Sequence, residues 1–214
     1  AGLLEYTPAT DCGWVAYVQD EDIYYYFRGS AWVAETATAT QQGTVELATA
    51  AEVQTGTDTS RAVTPAGLQT VSWVRVNKTA NETVNNSTTY QDDDALLFAV
   101  AANTKYAWRA TIFMTTTATA DWKYQFTGPA APTFVQYGHI GAEDGAGGEF
   151  GVVNAFSTSV IVSATATLWI LELRGVLQNG ANAGTVTLQW AQNTGDANDT
   201  IVRAGSYLEY ILVA

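Results

Sequence analysis

The chain has 214 residues, 47% hydrophobic and 14% charged, with nine basic against 21 acidic side chains for a net charge of −12. The charged fraction is well below the roughly 25% of an ordinary soluble domain, yet seven Trp and eleven Tyr supply ample core material, which excludes intrinsic disorder. Sparse, unclustered Lys and Arg exclude a phosphate-neutralising nucleic-acid binder and disfavour an anionic membrane surface, and no apolar run reaches the roughly 18 residues of a membrane-spanning helix.

Residues 1–10 lack the basic start and apolar centre of a signal peptide, and Ala1 as first residue fits a processed or trimmed start. The single cysteine, Cys12, has no intrachain partner and reads as a small, partly buried residue. Residues 1–36 read as strand, turn, strand, turn, strand. Trp14–Val18, Ile23–Phe27 and Ala31–Val33 are apolar runs separated by Asp20-Glu21-Asp22 and Arg28-Gly29-Ser30. Three short strands rarely bury enough surface to be stable alone, so packed copies would have to supply the missing core.

Residues 37–71 are rich in Ala and Thr. Thr49 and Glu52 have capping-box spacing, and Thr64-Pro65 places a capping hydroxyl before a proline at the first helical position. Thr55-Gly-Thr-Asp58 breaks the first helix, so two short helical turns are predicted.

Residues 72–214 read as strands. Ser72–Val76, Asp94–Val100, Tyr106–Met114, Asp121–Phe126, Ser159–Leu173, Thr185–Trp190 and Ser206–Val213 are the runs, and Trp122, Tyr124 and Phe126 fall on one face. Asn103-Thr-Lys, Gln178-Asn-Gly and Asn193-Thr-Gly-Asp196 are turn signals. The fold class predicted is mainly β: a small N-terminal meander, a short helical linker and a C-terminal β-sandwich of jelly-roll type.

Candidate sites are few. Asp92-Asp93-Asp94 could offer calcium its oxygens but lacks a calcium loop's alternating spacing, and reads as a solvated turn before a strand; Asp196 and Asp199 read likewise. The segment 141–151 is Gly-rich without the lysine, preceding strand or following helix of a phosphate cradle. It reads as a surface loop, and Glu143, Asp144, Gly147, Gly148 and Glu149 are the candidate recognition residues. Glu143, Asp144 and Glu149 carry no spacing that would set two carboxylates face to face as in a glycosidase. His139 is the sole histidine, with no cysteine nearby and no Gly-x-Ser-x-Gly elbow in the chain. Trp73, Trp108, Trp122, Trp169 and Trp190 lie in apolar strand patterns and read as core or interface rather than sugar platforms. Asn77, Asn81, Asn85, Asn86 and Asn198 fit the glycosylation triplet. No catalytic, metal or cofactor residues are predicted.

The stretch Gly43-Thr-Val-Glu-Leu-Ala-Thr-Ala-Ala-Glu-Val-Gln-Thr-Gly-Thr-Asp58, followed by Arg61-Ala-Val-Thr-Pro-Ala-Gly-Leu68, resembles a linker element of tail-fibre and related virion proteins of tailed phages. Gly13–Asp22 with Tyr26–Val33 is similar to a small β module of phage structural proteins. Thr88–Asp94, Leu96, Phe98, Ala102–Tyr106 and Phe126–Pro129 are similar to a C-terminal phage domain; no long fibre shaft is visible. The resemblance implies a non-enzymatic homotrimer on the virion surface, made in the host cytoplasm. Its partners would be other virion proteins and a host surface glycan or protein. It implies either a short tail fibre displaying its sandwich for attachment or a capsid decoration, head-fibre or joining protein.

Overall fold

The computed structural model describes residues 14–21, 23–28, 31–35, 37, 43–143, 149–163 and 169–213; Cys12 lies outside them. The chain divides into two compact units, Ala1–Gly67 and Leu68–Ala214.

In the first unit, β1 (Val15–Val18), β2 (Ile23–Arg28) and β3 (Ala31–Ala34) form an antiparallel meander in that order. Register puts Val15 and Tyr17 opposite Tyr26 and Tyr24, and Val33 opposite Tyr26, on one face. Ala16, Tyr25, Phe27 and Trp32 take the other face. Both faces are therefore apolar, and none of the described residues of these strands is buried.

The two helices follow from their caps. α1 (Ala50–Thr55) starts with a complete capping box: Glu52 N–H donates to Thr49 Oγ1 and Thr49 N–H donates to Glu52 Oε2 at 2.9 Å. Gly56, at φ 66°, ends it in the left-handed conformation that glycine adopts without strain. α2 (Pro65–Gln69) begins with Gly67 N–H donating to Thr64 Oγ1 at 3.0 Å. Arg61 ties this segment together by pairing with Glu46, Glu52 and Asp58.

The second unit is a jelly roll. β6 (Gln91–Val100), β7 (Lys105–Thr115), β8 (Trp122–Thr127), β9 (Phe134–Glu143), β10 (Glu149–Val153), β11 (Val160–Val162), β12 (Trp169–Gln178) and β13 (Gly184–Gln192) form four nested antiparallel pairs. β6 pairs β13, β7 pairs β12, β8 pairs β11 and β9 pairs β10. This is one long ribbon rolled into two sheets, β11-β8-β13-β6 and β10-β9-β12-β7. β14 (Thr200–Val202) and β15 (Tyr207–Val213) also pair β7. β5 (Glu82–Val84) and β4 (Val74–Asn77) join them in turn, widening the second sheet to eight strands.

Strict alternation places the core between the sheets. Trp122, Tyr124, Phe126, Val186, Leu188 and Trp190 from the four-stranded sheet meet Trp108, Ile112, Tyr137, Trp169, Leu171 and Leu173 from the larger one, all buried. Phe126 sits edge-on to both Trp108 and Tyr137, ring centroids 5.6 and 5.2 Å away. Gly175 is required here, because a Cβ on it would lie 2.1 Å from the Trp108 ring.

Three expectations are corrected. The run Ser159–Leu173 is not one strand: β11 belongs to one sheet and β12 to the other. Asp92–Asp94 is not a solvated turn but part of β6, with Asp93 fully buried. The ends of the 141–151 loop are strand, Glu149 pairing with Gly141.

Candidate functional site

The two outward faces of the jelly roll differ. On the four-stranded sheet the outward positions are more polar, Lys123, Gln125, Thr127, Thr187 and Gln189 among them, with Leu97 and Ile161 the exposed large apolar side chains beside them. On the larger sheet the outward positions include Phe134, Ile140, Val152, Ile170, Val176 and Val213, each at least 43% exposed.

Across this apolar face runs a charged row. Register aligns Val152, Gly138, Arg174, Arg109, Glu209 and Arg75 on β10, β9, β12, β7, β15 and β4. Glu209 bridges its two neighbours, 2.6 Å from Arg75 Nη2 and 2.6 Å from Arg109 Nε. Burial pushes its carboxyl up, and the two guanidiniums outweigh that and hold it below the usual range. Arg174 faces Arg109, an opposition of like charges that is unfavourable in a sheet. It is exposed and makes no ion pair among the described residues. Three cations against Glu209 make this row locally positive on an acidic protein.

A groove of about 630 Å³ lies over this row. Trp73, just before β4, overhangs it with its ring 4.6 Å from the Arg109 guanidinium. Ile140, Val152 and Val176 form apolar walls. Gln136, Arg174 and Glu172 contribute polar groups, and Glu172 accepts from Thr111 Oγ1 at 2.7 Å. Gly138 leaves the floor without a side chain, and it has to be glycine. A Cβ there would lie 2.2 Å from the Gly151 carbonyl oxygen, forcing β10 away. A tryptophan packed on the Arg109 guanidinium, with Arg174, a carboxylate and an amide lining the same groove, can pack against a ring and hydrogen-bond its polar substituents.

Of the residues read from sequence, Trp73, Trp108 and His139 line the groove; the others sit elsewhere or lie outside the described residues. Glu143 ends β9 and Glu149 begins β10, flanking the tip of the rolled ribbon; Asp144, Gly147 and Gly148 lie outside the described residues. His139 points into the core. Its Nδ1 is 3.0 Å from the Tyr124 hydroxyl, Nε2 has no hydrogen-bond partner among the described residues, and burial lowers its pKa. Trp108, Trp122, Trp169 and Trp190 are buried, in keeping with their strand patterns, but Trp73 is 41% exposed at the groove. Asp196 caps its own loop, accepting from Thr117 Oγ1 and Asn198 N–H, which lowers its pKa. Among the described residues no three His, Cys, Asp or Glu side chains converge as metal ligands. The signal for the groove was the alternation Glu172-x-Arg174 within an apolar strand, beside a tryptophan outside any core face. No protein-family model matches the chain, and no curated protein or solved structure matches it.

Proposed function

We propose that this chain is a non-catalytic structural protein of a phage particle, assembled as a homotrimer, whose jelly roll attaches to a host surface molecule through the groove under Trp73. The observation that carries the attachment reading is the exposed Arg174, which makes no ion pair among the described residues, in the groove that the Trp73–Arg109 stack overhangs. Arginine and tryptophan are the residues that dominate binding energy in recognition surfaces. Self-association is supported by the meander, whose aromatic faces are unburied on both sides. The resemblance of residues 43–68 to a virion linker supplies the phage setting.

Purified protein should adsorb to host cells or their extracted surface glycans. Trp73→Ala and Arg174→Ala should each weaken that by tenfold or more with folding unchanged, and undiminished adsorption by both variants would remove the groove from the reading. Mass photometry should give three copies per particle; a stable monomer would sink the trimer. The second reading, a decoration or joining protein, is favoured by the breadth of the apolar outward face, which suits a protein partner. It predicts no adsorption and stable binding to other virion proteins.

A further inference from the structure

Away from the groove, a lysine, an aspartate and a glutamate meet inside the second unit. Lys78 follows β4 and is 4% exposed; its backbone is fixed by bonds to Ser206 and from Gly205. Its ammonium Nζ lies 3.0 Å from Asp93 Oδ2 and 2.5 Å from Glu82 Oε2. Asp93 is fully buried. The pairing of β13 with β6 slips between Thr187 and Gln189, and the resulting bulge aims Asp93 inward. Its Oδ1 accepts the backbone N–H of Leu96 at 2.9 Å and of Ala95 at 3.0 Å. Its Oδ2 accepts from Trp190 Nε1 at 3.3 Å. Glu82 is held in place by Gln91 Nε2 at 2.6 Å and Asp94 N–H at 3.2 Å.

These are the parts of an acyl-transfer site. An amine nitrogen that becomes nucleophilic on losing a proton stands at a carboxyl group, two N–H donors converge on one carboxyl oxygen, and a second carboxylate touches the nitrogen. We propose that Lys78 Nζ and Asp93 Cγ condense to an intramolecular amide, with Glu82 carrying the protons.

Glu82 takes one proton from the ammonium and delivers it to Asp93 Oδ2. The neutral amine then attacks Cγ. Negative charge develops on Oδ1, where the Ala95 and Leu96 N–H groups stabilise it. Glu82 moves a second proton from the nitrogen to Oδ2, and the Cγ–Oδ2 bond breaks to release water. Of the three ammonium hydrogens, one stays on the amide and two leave with Oδ2. The positive and negative charges cancel, nothing is oxidised or reduced, and no co-reactant is needed. The driving force is the removal of two charges from a site where charge is costly to bury. Burial opposes the Lys78 charge and the two carboxylates outweigh it, raising its pKa, so the reaction starts from the ammonium.

The test is the intact mass of the purified full-length chain. The expected result is a mass lower by one water than the sequence predicts, with fragmentation joining the peptides that carry Lys78 and Asp93. Glu82→Gln should fold, by circular dichroism, and retain the full mass. Asp93→Asn should lose ammonia in place of water, because the amide nitrogen then departs. A folded wild-type chain that keeps its full mass after prolonged incubation overturns the proposal. So does a water loss mapped to other residues. A Glu82→Gln chain that cross-links as the wild type does overturns the role of Glu82.

Discussion

The two units solve the same problem in opposite ways. The jelly roll buries four tryptophans, Trp108, Trp122, Trp169 and Trp190, between its own sheets. The meander is as aromatic, yet leaves Trp14, Tyr17, Tyr24 and Trp32 close to half exposed. Composition is therefore not what makes a core; a second layer is. Strands that are apolar on both faces need cover on both faces, and three strands cannot fold over themselves. Among its described residues, the first unit has strands with the chemistry of an interior and buries none of their side chains.

The largest test of this contrast is to separate the units. A fragment covering residues 70–214 should unfold cooperatively in urea, as the source of most of the chain's stability. A fragment covering residues 14–67 at low concentration should show no cooperative transition, and one that did would break the comparison. Next comes a matched pair of truncations. Trp169→Ala removes a fully packed ring and should cost about 3–5 kcal/mol. Trp32→Ala should change the unfolding free energy of the monomer by under about 1 kcal/mol, while loosening self-association. Equal losses in the two would show that the meander has a core after all. Gly175→Ala drives a methyl into the Trp108 ring and should cost about 1–3 kcal/mol by overpacking. Thr49→Ala, which removes the capping hydroxyl of α1, should cost about 1 kcal/mol. Both are read from the urea midpoint.

Much of this architecture is visible in the residues. Thr49 and Glu52 specify a helix start because both partners of the capping box lie within one turn. Trp122, Tyr124 and Phe126 specify an inward face because strand alternation is local. What escapes is what depends on pairing between distant strands. Residues 134–143 read poorly as a strand because Gly138 and Gly141 interrupt them, and glycine weakens strand propensity. Yet Gly138 is there for the close approach of β10. Three consecutive aspartates read as a turn, since aspartate is depleted in strands. Asp93 is tolerated in β6 because Lys78, fifteen positions earlier, supplies its counter-charge. The groove is hidden for the same reason: Arg174 and Arg109 become neighbours only when the ribbon rolls up.

The smallest expected effect concerns pH, and it probes the inside of the jelly roll through one group. Burial lowers the pKa of His139, and among the described residues its Nε2 has no partner to take up a proton's charge. The unfolded chain therefore binds a proton near pH 6.5, the ordinary histidine value, which the folded chain does not bind until the pH is lower. A state that binds more protons gains as pH falls, so stability is full above about pH 6.5 and declines between there and the folded value. The carboxylates held low by partners, Glu52 and Glu209 among them, lose their contribution only at more acid pH, so the two effects separate. His139→Phe removes the titrating group while keeping a ring against Tyr124. Its urea midpoint at about pH 7 should fall somewhat, because the Tyr124 hydroxyl loses its partner. Its further drop on going to about pH 5.5 should be smaller than that of the wild type. Parallel drops in the two proteins would mean that His139 is protonated in the folded core, and that the jelly-roll interior admits the water that the meander's faces already meet.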